Sequence, residues 1–142
     1  MPGTQSTDPA LLQRISAARV LELTPDIAIV TDLDGIILFG NSALERRVGI
    51  PIDELIGRPA ADVVHPEDVV GARPAWEELV AGETDGAEFA LRFGSPETGW
   101  RWCLGSAAID RETGVSIGTY QETTALRDAE ERFQRAFEDA GI

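Results

Sequence analysis

The spacing of apolar positions changes twice along this chain. From Asp8, a good N-cap with Pro9 at the first helical position, Leu11, Leu12, Ile15, Ala18 and Leu21 recur at helical spacing, and Thr24-Pro25-Asp26 stops the run. Residues 1 to 7 ahead of it are polar and turn-rich and read as a disordered leader. Two short β-branched runs follow, Ile27 to Leu33 and Ile36 to Gly40, and the Asp34-Gly35 between them predicts a hairpin with a type I′ turn. Pairing outward from that turn puts Ile27, Ile29, Leu33, Ile36 and Leu38 on one face and Ala28, Val30, Ile37 and Phe39 on the other. Both faces are apolar, so each needs a cover, and the helix of residues 9 to 23 is the nearest candidate for one.

A helical middle comes next: Ser42 to Val48, Ile52 to Ile56, Ala60 to Val64 and Pro66 to Val80, broken by Gly49, Pro51, Gly57-Arg58-Pro59 and His65-Pro66. Thereafter the period becomes two. Ala87, Phe89, Leu91 and Phe93 alternate with Glu88, Ala90 and Arg92; Trp100, Trp102 and Leu104 with Arg101 and Cys103; Val115 and Ile117 with Ser116 and Gly118. With turns at 94 to 99 and 110 to 114 these are three antiparallel strands in a meander. A last helix starts at Ala125, where Leu126, Ala129, Phe133, Ala136 and Ala140 form a heptad seam suited either to packing on its own domain or to a coiled coil between two protomers.

Composition narrows the function classes. The 142 residues suffice for one core, and no apolar stretch approaches a membrane span or a signal peptide. A formal charge of -13 disfavours nucleic acid and anionic membranes as partners, and the lone cysteine with the missing span and signal peptide leads to an expected cytoplasmic location. All 12 basic residues are Arg, which removes lysine chemistry. Cys103, the single cysteine, permits no internal disulfide and reads as a small core hydrophobe.

Asp32-Leu33-Asp34-Gly35-Ile36 looks like the aspartate pair of haloacid dehalogenase phosphohydrolases. That chemistry also needs a cation for the phosphate and a second acidic cluster for Mg²⁺ at the end of a later parallel strand. Here the later strands read as hairpins and Glu67-Asp68 opens a helix, so the two acids are assigned to a turn and no enzymatic activity is expected. An EF-hand is excluded because its glycine belongs at loop position six and here stands at four.

The residues around that turn resemble a known family. Thr31-Asp32-Leu33-Asp34-Gly35, Asn41, Glu45, Gly49, Glu54-Leu55-Ile56-Gly57 and His65-Pro66-Glu67-Asp68, taken in order, resemble the sensory PAS domain. Tyr120-Gln121-Glu122-Thr123-Thr124 followed by Ala129-Glu130-Glu131-Arg132-Phe133 resembles its closing Asp-x-Thr motif and exit helix, with Glu122 in place of the usual Asp. The resemblance covers residues 20 to 140, with the sensor proper at 24 to 124. It implies a five-stranded antiparallel sheet in the order 2-1-5-4-3 with helices across one face.

It also implies sensing of a small ligand, or ligand-free dimerisation and protein interaction, with output relayed through Glu122, Thr123 and Thr124. That output would reach a covalently linked effector or second sensor, in two-component or cyclic-dinucleotide signalling. Leu126, Ala129, Phe133 and Ala136 would form the seam of a homodimer. Leu44, Val48, Leu55, Ile56, Val63, Val64, Val69, Phe89, Leu91 and Leu104 are the residues expected to line a cavity or, equally, a filled core. Trp100 and Trp102 share a face and could pack on a neighbour, wall a cavity or form a dimer patch. No cofactor is expected: the flavin-binding Asn-Cys-Arg-Phe run is missing, and haem would have to use His65, which reads as a helix-start residue ahead of Glu67 and Asp68.

Overall fold

The stretches of period-two alternation become the long strands of a single sheet. The computed structural model describes residues 16 to 123. In chain order they form α1 (Ala17–Leu23), β1 (Ile27–Asp32), β2 (Ile37–Gly40), α2 (Ser42–Val48), α3 (Ile52–Leu55), a 3-10 turn (Ala60–Val63), α4 (Pro66–Ala81), β3 (Gly86–Ser95), β4 (Gly99–Asp110) and β5 (Val115–Glu122). All neighbouring strands are antiparallel, in the order β2-β1-β5-β4-β3. Such a sheet has no parallel strand end at which Asp32 could serve a phosphohydrolase.

Three local expectations are corrected. The helix from Asp8 is not continuous to residue 23. Ser16 is extended (φ −71°, ψ 154°) and its side chain accepts a hydrogen bond from the Arg19 N–H, so it is the N-cap of α1. Positions 1 to 15 lie outside the described residues, as do Thr124 and the closing segment with Leu126, Ala129, Phe133 and Ala136.

The second correction is the hairpin turn. Gly35 N–H donates to the Asp32 carbonyl (3.1 Å) and Asp32 N–H to that of Ile36 (3.0 Å). Gly35 has φ 84° and among the described residues no non-glycine has positive φ, whereas a type I′ turn needs it at Asp34 as well. Leu33, Asp34 and Gly35 therefore make a three-residue loop.

The third follows from a register shift near this loop. Val30 pairs with Phe39 but Thr31 with Ile37, an irregularity that turns Ile37 onto the buried face with Ile27 and Ile29 and leaves Leu38 exposed. Ile36 bridges to Pro59 instead.

The helices cover one face of the sheet. Ile27, Ile29, Ile37, Phe89, Phe93 and Cys103 from the strands form one core with Leu44, Val48, Leu55, Val63 and Leu79 from the helical middle. Asn41, fully buried, ties this half together: its Oδ1 accepts from Ala28 N–H (3.0 Å) and Leu44 N–H (3.2 Å), and its Nδ2 donates to the carbonyls of Leu21 and Asp26 (both 2.8 Å). Every hydrogen-bonding position of the amide is thereby used.

Candidate functional site

Strand alternation decides what each face presents, and in the middle of β4 and β5 Leu104 and Ile117 face away from the helices. Leu104 and Ile117 are 54% and 41% exposed, while Cys103, Ala107 and Ser116 are buried. Between Ile109, packed on the core, and Tyr120, the inward positions of these two strands are small: Cys103, Gly105, Ala107, Ser116 and Gly118. Tyr120 occupies the room they leave. A Cβ on Gly118 would stand 2.9 Å from Tyr120 Cε2 and 3.3 Å from its hydroxyl oxygen, so the ring lies across that glycine. Phe93 holds it from the other side, with ring centroids 4.9 Å apart.

Above this floor a cavity of about 250 Å³ remains. Its roof is the face of α4 formed by Val69, Ala72, Arg73 and Trp76, spaced i, i+3, i+4, i+7. Pro59, Ala60, Ala61 and Val64 wall one side, next to Asp34 and Gly35 of the hairpin loop. Ile29, Phe89, Leu91 and Phe93 complete an apolar floor that carries three hydroxyls, those of Thr31, Ser116 and Tyr120. Thr31 Oγ1 and Ser116 Oγ are 2.7 Å apart across the β1–β5 ladder. The Tyr120 side chain, in a residue only 6% exposed, has no hydrogen-bond partner among the described residues. Burial, then the neighbouring Cys103, raises its pKa above the ordinary phenol value, so it remains a donor.

Of the residues expected from sequence, Val64, Val69, Phe89 and Leu91 line this cavity. Leu44, Val48, Leu55 and Val63 are fully buried in the packed core beside it. Ile56 and Leu104 are corrected: Ile56 follows the end of α3 and is 47% exposed, and Leu104 sits on the outer face because Cys103 takes the inner one. Trp100 and Trp102 are outward too, so they do not wall the cavity. The Arg92 guanidinium lies over Trp102 (4.7 Å), and His65 meets Trp100 edge-on (5.1 Å). His65 also caps α4, its Nδ1 accepting from Glu67 N–H (3.2 Å). Cys103 is buried and its thiol is pushed up to about 11, first by burial and then by Glu122, which keeps it protonated. Among the described residues no group of three or more His, Cys, Asp and Glu is placed to hold a metal.

A family model described as the PAS fold matches residues 21–132. The chain belongs to the PAS fold family. Solved PAS domains share its architecture at low identity. That of an HTR-like protein from Haloarcula marismortui is 15% identical, with 80% of this chain and 98% of that one aligned at a TM-score of 0.64. One from Colwellia psychrerythraea is 20% identical over 82% and 98% of the two chains, with a TM-score of 0.67. A PAS domain from a two-component sensor histidine kinase is 19% identical over 80% and 99%, at 0.63. Among curated proteins, a neuronal PAS domain-containing protein 4-like from Danio rerio is 29% identical over 87 residues, 60% of this chain and 13% of that protein's length.

In this PAS domain the end of β5 is tied to both layers. Glu122 lies between Arg47 of α2 (3.8 Å) and Arg101 of β4 (3.7 Å), and Thr123 N–H donates to the Trp102 carbonyl (2.8 Å). Arg47 Nε is buried there without a hydrogen bond, and its Nη1 meets Glu122 only as a long ion pair. Among the described residues no helix is long and apolar enough to cross a membrane.

Proposed function

We propose that this PAS domain is a sensory module that takes a small ligand in the cavity between α4 and the inner face of the sheet. Ligand entry alters the packing around Tyr120, and the change passes along β5 through Glu122, Thr123 and Thr124 to the segment from residue 125. The module works in the cytoplasm as a homodimer through Leu126, Ala129, Phe133 and Ala136, and drives a covalently joined effector. It uses neither haem at His65 nor flavin.

The observation that carries this reading is the Tyr120 hydroxyl, which lines the cavity without a hydrogen-bond partner among the described residues. The ring of Tyr120 is buried while its hydroxyl faces the cavity with its donor unused by the protein, so a ligand there can supply the acceptor. Similar structures from sensor histidine kinases support a joined effector. Native mass spectrometry of the purified 142-residue chain tests the reading, with a small added mass expected. Hydrogen exchange at residues 115 to 123 should slow when that ligand is restored to stripped protein. A chain with no added mass, whose β5 exchange ignores every compound of cavity size, rejects it.

A ligand-free interaction module is the second reading, favoured by the exposed Leu104 and Ile117 on the outer face. It expects self-association with no bound mass.

A further inference from the structure

The chemistry lining the cavity narrows its occupant, on the basis of the ligand-binding function proposed above. Size comes first. A cavity of 150 Å³ holds benzene, so 250 Å³ suits a molecule of about ten non-hydrogen atoms. Aromatic rings from Trp76, Phe89 and Phe93 line it, and they favour a flat body.

Proton accounting then fixes the polar end at the floor. Thr31 Oγ1 donates its proton to the Asp32 carbonyl (2.8 Å), so the 2.7 Å contact with Ser116 must be donated by Ser116. Both hydroxyl protons are spent, and Ser116 keeps a lone pair. Tyr120 keeps its proton. Tyr120 and Ser116 face the same way on β5, and Gly118 between them has no side chain. A hydroxyl on the ligand can therefore accept from Tyr120 while donating to Ser116.

The mouth supplies the other end. Arg73 lines the cavity from α4 and makes no ion pair or hydrogen bond with a described residue. The Asp68 carboxylate, also on the lining, is already held by Arg92 through three hydrogen bonds and makes no ion pair with Arg73. Asp34 is the opposing charge on the lining.

We propose that this cavity binds a small aromatic monocarboxylate with a hydroxyl at the far end of its ring, the carboxylate held by Arg73 and the hydroxyl by Tyr120 and Ser116. Calorimetric titration of the full chain with 4-hydroxybenzoate, 4-hydroxybenzamide, benzoate and toluene tests it. The hydroxyacid should bind roughly tenfold tighter than its amide, the scale of a hydrogen bond to a charged group, and Arg73→Gln should erase that difference. Asp34→Asn should tighten the acid. Tyr120→Phe should weaken 4-hydroxybenzoate severalfold and leave benzoate unchanged.

Equal binding of acid and amide, or an unchanged preference in Arg73→Gln, overturns the carboxylate assignment and leaves the cavity reading standing. Equal loss of 4-hydroxybenzoate and benzoate in Tyr120→Phe overturns the hydroxyl assignment. If none of the four compounds binds at millimolar concentration, this proposal falls, whereas the ligand-binding function falls only if native mass spectrometry also shows no added mass and β5 exchange ignores every compound of cavity size.

Discussion

Asp68 at the start of α4 accepts three hydrogen bonds from Arg92 of β3: from the backbone N–H at 2.8 Å, and from Nε and Nη2 at 2.9 Å each. The pair fastens the cavity roof to the edge strand, beside the bond from His65 N–H to the Arg92 carbonyl (2.9 Å).

Burial pushes the Asp68 carboxyl up, but the Arg92 hydrogen bonds and charge outweigh it and hold the group below its ordinary value. A carboxylate with a depressed folded pKa stabilises the fold fully above its unfolded pKa and loses that contribution as pH falls through the folded one. Asp68→Asn is therefore expected to cost about 2 kcal/mol at pH 7. The gap from wild type should shrink below about pH 4, as followed by urea melts. A gap that stays constant with pH would show that the charge contributes nothing.

Asn41→Asp tests the buried amide. The exchange puts a carboxylate oxygen opposite the Leu21 and Asp26 carbonyls in place of a donor. A loss of about 3 kcal/mol or more at neutral pH is expected, because two carbonyls lose their donor and a charge is buried. Asn41→Ser, which keeps a cap for α2, should cost less in the same thermal melt.

Gly118→Ala probes the floor. The added methyl meets the Tyr120 ring at 2.9 Å, so the ring must swing into the cavity. A destabilisation of about 1 to 3 kcal/mol, the usual range for overpacking, should accompany weaker ligand uptake. Stability loss with full uptake would place the ligand elsewhere.

Asp32 is assigned to the turn by its side chain, whose Oδ1 accepts from the N–H groups of Asp34 and Ile36, both at 2.9 Å. Asp32→Ala should therefore destabilise by about 1 kcal/mol while Asp32→Asn retains most of the stability. An equal loss in both, measured by denaturant titration, would mean that charge and not the turn is what matters.

Leu104→Arg bears on the outer face. If Leu104 and Ile117 form part of a self-association surface, sedimentation at matched concentrations should show the variant shifted to monomer with an unchanged melting temperature. An unchanged mass limits self-association to other parts of the chain.

Local chemistry settled much of this molecule. The hairpin position at Asp34-Gly35, the α2 segment from Ser42 to Val48, the start of α4 at Pro66 and the three long strands are all written in residues that touch their neighbours in sequence. Turn glycines, caps and alternation act over a few residues, which is why they were legible. Of the cavity, Val64, Val69, Phe89 and Leu91 were legible because they are apolar on amphipathic elements. Thr31, Arg73, Trp76, Ser116 and Tyr120 were not, although the 69, 72, 73, 76 spacing and the run of small residues at 105, 107, 116 and 118 were the available signals.

Alternation states that Leu104 and Cys103 point opposite ways, or Ile117 and Ser116, but it carries no sign. Hydrophobicity alone would have turned Trp102, Leu104 and Ile117 inward. Tertiary packing chose the reverse, because α4 and the ring of Tyr120 fill the space above small side chains, and large ones there would collide with both. The strands and turns were thus set by the chain itself, whereas the existence of a cavity, and the hydroxyls and guanidinium that face it, arose only when the helices closed over one side of the sheet.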